Sequence, residues 1–214
     1  MLLLNHRKRH DGQATTRAPK LADCIKKKKK KCEDSVEDKI LLAQSPHLCD
    51  NLIVKEKGEN MKAIYWDMDG TFADLYGYDG WLEKLQAEDV SPYVECKPLV
   101  NMRELNKILC EFAAMGITIG VISWGAMNCS NEYTRETKRA KVAWCEKYFT
   151  CISEYHVVKY GTPKHTVAKI KDSILVDDNA DVRNAWKNGA TIDASKSEEM
   201  MKNLRQLLDT MKAA

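Results

Sequence analysis

Five short apolar runs constrain the fold of this chain more than any other feature. They are Lys62–Asp67 (KAIYWD), Ile117–Ser123 (ITIGVIS), Cys151–Val158 (CISEYHVV), Ser173–Asp178 (SILVDD) and Ala190–Asp193 (ATID). Each has the length and side-chain type of a strand buried on both faces, and each is separated from the next by a stretch of helical period. Leu99–Met115 places Leu105, Ile108, Leu109 and Phe112 on one face and stops at Gly116. Asn131–Tyr148 carries Val142, Trp144 and Cys145. A short helix is expected from Pro163 to about Lys171, another over Ala180–Lys187 before Asn188-Gly189, and a last one from a Ser195 cap through Leu208. Apolar strands alternating with helices dictate a parallel sheet covered on both sides, an α/β fold of three layers. Ligands of such sheets bind beyond the carboxyl ends of the strands.

The pattern begins only at Met61. Residues 1–60 contain six consecutive lysines, Lys26–Lys31, and fourteen basic against nine acidic residues, so the net charge of +3 comes from this segment alone. Apart from an apolar patch at Ile40–Ala43, no sustained period runs through it, and disorder is expected. It reads as a basic arm for nucleic acid or an anionic surface, as a passive tail, or as an over-extended reading frame. The last reading is favoured, because codons for Lys57-Gly58-Glu59 readily contain AGGAG a few nucleotides before Met61. The expected domain is therefore 61–214.

None of the eight cysteines forms a C-x-x-C pair, which disfavours a zinc site and suits reduced intracellular thiols. The first ten residues lack the apolar core of a secretory signal, and no run reaches the ~20 apolar residues of a membrane span. A soluble, cytoplasmic protein without a membrane partner is the expectation.

The polar residues at the strand ends carry the chemistry. The first strand ends in Asp67-Met68-Asp69-Gly70-Thr71 and the second in Ser123. Lys164 follows the third, and Asp177-Asp178, with Asp181 beyond, follow the fourth. Taken singly, each is most simply a turn, cap or solvated residue. Together they gather several carboxylates at one sheet edge, where they repel one another unless a cation joins them. Oxygen donors without a His or Cys cluster favour Mg²⁺, and a magnesium ion beside a lysine, a hydroxyl and backbone N–H groups suits phosphate.

The segments IYWDMDGT, GVIS, GTPK and ILVDDNAD, in that order, resemble the motifs of the haloacid dehalogenase-like (HAD) phosphohydrolase superfamily over essentially all of 61–214. The resemblance implies a Rossmann-like α/β/α core with a small cap at about 72–98, where a helix near Trp81–Glu88 is expected. It implies Mg²⁺-dependent phosphomonoester hydrolysis through an aspartyl-phosphate. Asp67 would be nucleophile and metal ligand, and Asp69 general acid/base, with its main-chain carbonyl on the metal. Ser123 and Lys164 would hold the phosphoryl group. Asp177 would bind the metal, supported by Asp178 and Asp181. An aspartate at position 69 fits the phosphatases of the superfamily and disfavours dehalogenation. DMDGTFAD is also similar to a stretch of the 5′(3′)-deoxyribonucleotidases, which makes a nucleotide monophosphate the leading substrate. A sugar phosphate and a phosphorylated polynucleotide end stand beside it. A non-catalytic phosphate-binding or phospho-acceptor module is the alternative. Trp66, Trp144 and Trp186 read as core. Trp124 either meets substrate at the cleft mouth or packs under its loop. His156 and His165 read as strand surface and helix N-terminus.

Overall fold

A computed structural model describes residues 61–213; the expected disordered extension over 1–60 lies outside the described residues. The central sheet contains β1 (Ala63–Trp66), β4 (Thr118–Trp124), β5 (Glu154–Val158), β6 (Ser173–Asp177) and β7 (Gly189–Asp193). All pairings are parallel, in the order β5-β4-β1-β6-β7. From β1 the chain lays down β4 and β5 on one side, then returns to lay down β6 and β7 on the other. The order therefore reverses beside β1, the place where α/β sheets open a crevice.

The alternation of side chains along each strand builds the two outer layers. Ile64, Trp66, Ile119, Val121, Ile174 and Val176 face one side. There they meet α3 (Met102–Ala114), α4 (Asn131–Tyr148) and α7 (Ser197–Ala213) in the largest apolar cluster. Ala63, Tyr65, Ile122 and Leu175 face the other side, under α5 (Lys164–Val167) and α6 (Ala180–Ala185). The expected three layers are present. The helix N-termini use local caps: Asn101 accepts from the Glu104 N–H and Ser130 from that of Tyr133.

The insertion after β1 is a small cap. It contains α1 (Trp81–Gln86) and α2 (Ser91–Glu95), and its base is closed by the antiparallel pair β2 (Ala73–Asp74) and β3 (Lys97–Pro98). Leu75, Tyr93 and Tyr133 form a third apolar cluster that seats the cap on α4.

Several boundaries differ from the sequence reading. The helix expected over 180–187 ends at Ala185, because Trp186 turns extended and packs its ring 6.2 Å from that of Tyr65. The helix expected to reach Lys171 ends at Val167, and Ala168 and Ile170 join the same cluster. The last helix starts at Ser197, where the Asp193 carboxylate caps the preceding turn through the Ser195 N–H. Trp66, Trp144 and Trp186 are buried, as expected. No helix among the described residues is long and apolar enough to cross a membrane.

Candidate active site

The parallel ladder places the first and fourth motifs side by side. Trp66 pairs with Val176, and the Asp67 N–H donates to the Val176 carbonyl at 2.9 Å, so Asp67 stands next to Asp177 at the carboxyl edge. Lys164, the first residue of α5, reaches between them. Its Nζ lies 2.7 Å from Asp67 Oδ1 and 2.7 Å from Asp177 Oδ2. All three side chains are buried, and Lys164 is only 3% exposed. The turn before α5 is fixed by the Thr162 hydroxyl, which donates to the Lys159 carbonyl at 2.7 Å, and by the Trp124 indole, which donates to the Thr162 carbonyl at 2.8 Å.

Asp178 completes the acidic group. Asp67, Asp177 and Asp178 bring carboxylate oxygens within 4.8 Å of one another. Among the described residues, ion pairs from this group go only to Lys164, and Asp178 makes none. Asp178 instead accepts a long 3.4 Å contact from the Thr71 hydroxyl. Three carboxylates thus share one ammonium, a deficit of two charges. All donors are hard oxygens, which fits a divalent ion of the magnesium or calcium kind. Gly70 is required here: its φ is +78°, and a Cβ at that position would stand 2.6 Å from Asp178 Oδ2 and 2.8 Å from the Tyr76 ring.

Electrostatics follow the geometry. Burial, reinforced by the Asp67 charge, pushes the Asp178 carboxyl up to about 6. Asp177 is raised by burial and then by Asp67, against the opposing pull of Lys164. Burial works to lower the Lys164 ammonium, but Asp67 and Asp177 outweigh it and hold it above the ordinary lysine value. The Asp69 carboxyl is raised by burial, opposed by Lys141 and helped by Asp67.

Asp69 does not join the acidic group through its side chain. Its Oδ2 pairs with Lys141, a residue in the middle of α4 that is 1% exposed. Lys141 Nζ also donates to Ser123 Oγ at 2.9 Å and to the Trp124 carbonyl at 2.8 Å, and it lies 4.6 Å from the centre of the Tyr93 ring. Ser123 is fully buried under this lysine; its oxygen accepts one bond from Nζ, and its hydrogen remains uncommitted. Asp181 is exposed in the first turn of α6 and is not one of the three gathered carboxylates; its N–H donates to Asn179 Oδ1 at 2.9 Å.

The sequence reading missed Lys141. A signal was present: Tyr133, Thr137, Lys141, Trp144 and Cys145 are the buried positions of α4, spaced three or four apart, and a lysine on such a stripe needs a buried partner.

Over Asp67 and Asp69 opens a cleft of about 360 Å³ between the cap and the ends of β4 and β5. Tyr76 and Trp81 meet edge to face on the cap side, at 5.2 Å. Trp124 and Tyr160 pair at 5.1 Å on the opposite wall. Trp124 thus faces the cleft. His156 bonds Glu154 within β5 at 2.9 Å.

No protein-family model and no curated protein matches the sequence. Among solved structures the chain is similar to 3-deoxy-D-manno-octulosonate 8-phosphate phosphatase from Moraxella catarrhalis, a complex with magnesium ion, phosphate ion and KDO. Identity is 11% and the TM-score 0.42, over 75% of this chain and 94% of that one. It is also similar to D,D-heptose 1,7-bisphosphate phosphatase from Burkholderia thailandensis, at 11% identity and a TM-score of 0.40, over 69% of this chain and 98% of that one.

Proposed function

We propose that this protein is a Mg²⁺-dependent phosphomonoesterase of the haloacid dehalogenase-like type that works through an aspartyl-phosphate on Asp67. One observation carries the reading: Asp67, Asp177 and Asp178 converge at the point where the strand order reverses, with a single ammonium among them. The remaining charge deficit equals that of one divalent cation. Asp67, Asp177 and the Asp69 main-chain carbonyl would hold Mg²⁺, with Asp178 as a further oxygen donor; the ion supplies neutralisation of the phosphoryl oxygens.

The residues divide the work. Asp67, at the cleft floor, attacks phosphorus, and the bond to the leaving oxygen breaks. Asp69 gives that oxygen its proton, then takes a proton from the water that attacks the aspartyl-phosphate and frees inorganic phosphate. Lys164 has two N–H bonds on carboxylates and a third left for a phosphoryl oxygen. The uncommitted hydrogen of Ser123 is the candidate second donor. Asp181 would act only on the outer rim of the site.

The aromatic walls favour a leaving group with a flat apolar ring, so a nucleoside monophosphate is the proposed substrate. Sugar phosphates and polynucleotide ends are the competing classes. The test is hydrolysis of 4-nitrophenyl phosphate, then of a panel of nucleoside and sugar monophosphates, by the full chain with Mg²⁺ or with a chelator. Chelator-sensitive turnover is expected, with nucleoside monophosphates preferred. Turnover indifferent to the chelator overturns the metal site, and a preference for sugar phosphates overturns the substrate.

A further inference from the structure

Lys141 is a buried charged side chain at the cleft to which the steps above give no task. An ammonium has three N–H bonds, and the geometry accounts for all of them: Asp69 Oδ2, Ser123 Oγ and the Trp124 carbonyl. The Tyr93 ring of the cap covers the group from the other side. No donor remains for a phosphoryl oxygen, so Lys141 is not a second phosphate-binding lysine. What it does is visible at its partners. It occupies one oxygen of Asp69 and leaves the other, Oδ1, buried without any hydrogen-bond partner, while Asp69 itself lines the cleft. An unpartnered buried carboxylate oxygen is costly and calls for a ligand group. A leaving oxygen or an attacking water is such a group. The same lysine takes one lone pair of Ser123, which turns the hydroxyl hydrogen away from Nζ.

The geometry points to Lys141 as the positioning residue of the acid/base. It clamps Asp69 Oδ2 so that Oδ1 serves the proton transfer, and it fixes Ser123 as a donor from the same point. This assignment rests on the phosphomonoesterase reading. A merely structural ion pair would support the fold without regard to the leaving group, and that difference is measurable.

The experiment compares Lys141→Met, Asp69→Asn and the double variant Asp69→Asn/Lys141→Met in the full chain with Mg²⁺. The readout is kcat/KM on two substrates. 4-Nitrophenyl phosphate releases a phenolate that needs little protonation, whereas glycerol phosphate releases an alkoxide that needs it fully. Lys141→Met is expected to lose about 100-fold or more on glycerol phosphate and about tenfold or less on 4-nitrophenyl phosphate, the signature of a displaced general acid. The loss in the double variant should fall well short of the product of the two single losses, because Lys141 acts mainly through Asp69 and only the smaller share through Ser123 survives in Asp69→Asn. Calorimetric Mg²⁺ affinity should be unchanged by Lys141→Met, while inhibition by inorganic phosphate should weaken modestly as Ser123 loses its fixed orientation. Equal losses on both substrates, or a double variant that multiplies the two single losses, overturns the assignment while the enzyme reading stands. Absence of hydrolysis by the wild-type chain overturns both. If Lys141→Met alone does not fold, the double variant, which buries no unpaired charge, decides the question against Asp69→Asn.

Discussion

Two buried lysines flank the same cleft floor, and they differ in what they leave undone. Lys164 stands at the start of α5 and binds two carboxylates, Asp67 and Asp177, with Asp178 beside them. Lys141 stands in the middle of α4 and binds one carboxylate, one hydroxyl and one carbonyl. The Lys164 half is short of positive charge and keeps a donor free. In the Lys141 half the charges balance and every N–H of the ammonium is used, with Asp69 Oδ1 the one oxygen left open. A site that binds and turns over an anion needs both kinds of environment: an unsatisfied one that recruits the cation and phosphate, and a satisfied one that holds the proton carrier still.

The harshest way to break the comparison is Asp67→Asn. It removes the proposed nucleophile from the Lys164 half, and kcat should fall by about 10⁴-fold or more. Asp69→Asn acts in the Lys141 half and should cost about 10²–10⁴-fold, with Mg²⁺ affinity largely kept. Steady-state kinetics with calorimetry of the metal would test this. If metal affinity collapses in Asp69→Asn, the division of labour between the halves is wrong.

Substituting the lysines themselves sharpens the contrast through stability. Lys164→Met leaves buried carboxylates facing one another, a loss of about 3–5 kcal/mol by the behaviour of broken buried pairs. Lys141→Met leaves Asp69 unpaired and should cost a similar amount. The two should part when Mg²⁺ is added. The divalent ion compensates the missing ammonium beside Asp67, Asp177 and Asp178, so Lys164→Met regains melting temperature and Lys141→Met regains far less. Equal recovery in denaturation scans would mean that the halves are not electrically distinct.

In the wild-type chain the same logic gives a smaller effect. Mg²⁺ at about a hundred times its dissociation constant stabilises by about 2.7 kcal/mol, or roughly 5–10 °C in melting temperature for a domain of this size. Replacing it with the same ionic strength of NaCl should give no comparable rise. A melting temperature that ignores Mg²⁺ would leave the three-carboxylate group without its cation.

The two halves were also unequally legible in the sequence. Asp67, Asp177 and Lys164 are punctuation: they interrupt the chain where an apolar strand ends or a helix begins, and a parallel sheet brings such positions to one edge whatever their separation. Asp178 stands with them for the same reason, but which of Asp178 and Asp181 comes nearer was not readable, since the two lie three residues apart across the turn into α6 and only the turn's geometry brings Asp178 beside Asp67 and Asp177. Lys141 is not at any boundary. It sits inside a helix rich in lysine, arginine and glutamate, and the stripe that marks it as buried includes Thr137 and Tyr133, which do not stand out as apolar. Helix ends at Val167 and Ala185 were missed because tertiary packing of Ala168, Ile170 and Trp186 around Tyr65 overrode local propensity. In the insertion after β1, the antiparallel pair of Ala73–Asp74 with Lys97–Pro98 and the helix at Ser91–Glu95 were not legible, since two-residue strands and a five-residue helix carry no periodic signal.

The mildest perturbation reaches the Lys141 half from outside, through the tether between the cap and α4. Glu88 accepts from both the N–H and the hydroxyl of Ser130, each at 2.6 Å, and Ser130 is the N-cap of the helix that carries Lys141. These two bonds, first that of the hydroxyl, hold the Glu88 carboxyl below its usual value in the folded protein. A depressed carboxylate contributes stability that is complete above its unfolded pKa, near 4.5, and disappears as pH falls through the lower folded value. The Glu88→Gln variant should therefore melt slightly below wild type at pH 7, and the gap should close below pH 4.5 as wild-type Glu88 takes up its proton. Because the tether ends on α4 and not on α5, Mg²⁺ affinity should be untouched while the leaving-group dependence shifts weakly in the direction of Lys141→Met. A gap between the two melting curves that stays constant from pH 7 down to pH 3 would remove Glu88 as the tether and leave the Leu75–Tyr93–Tyr133 cluster to seat the cap alone.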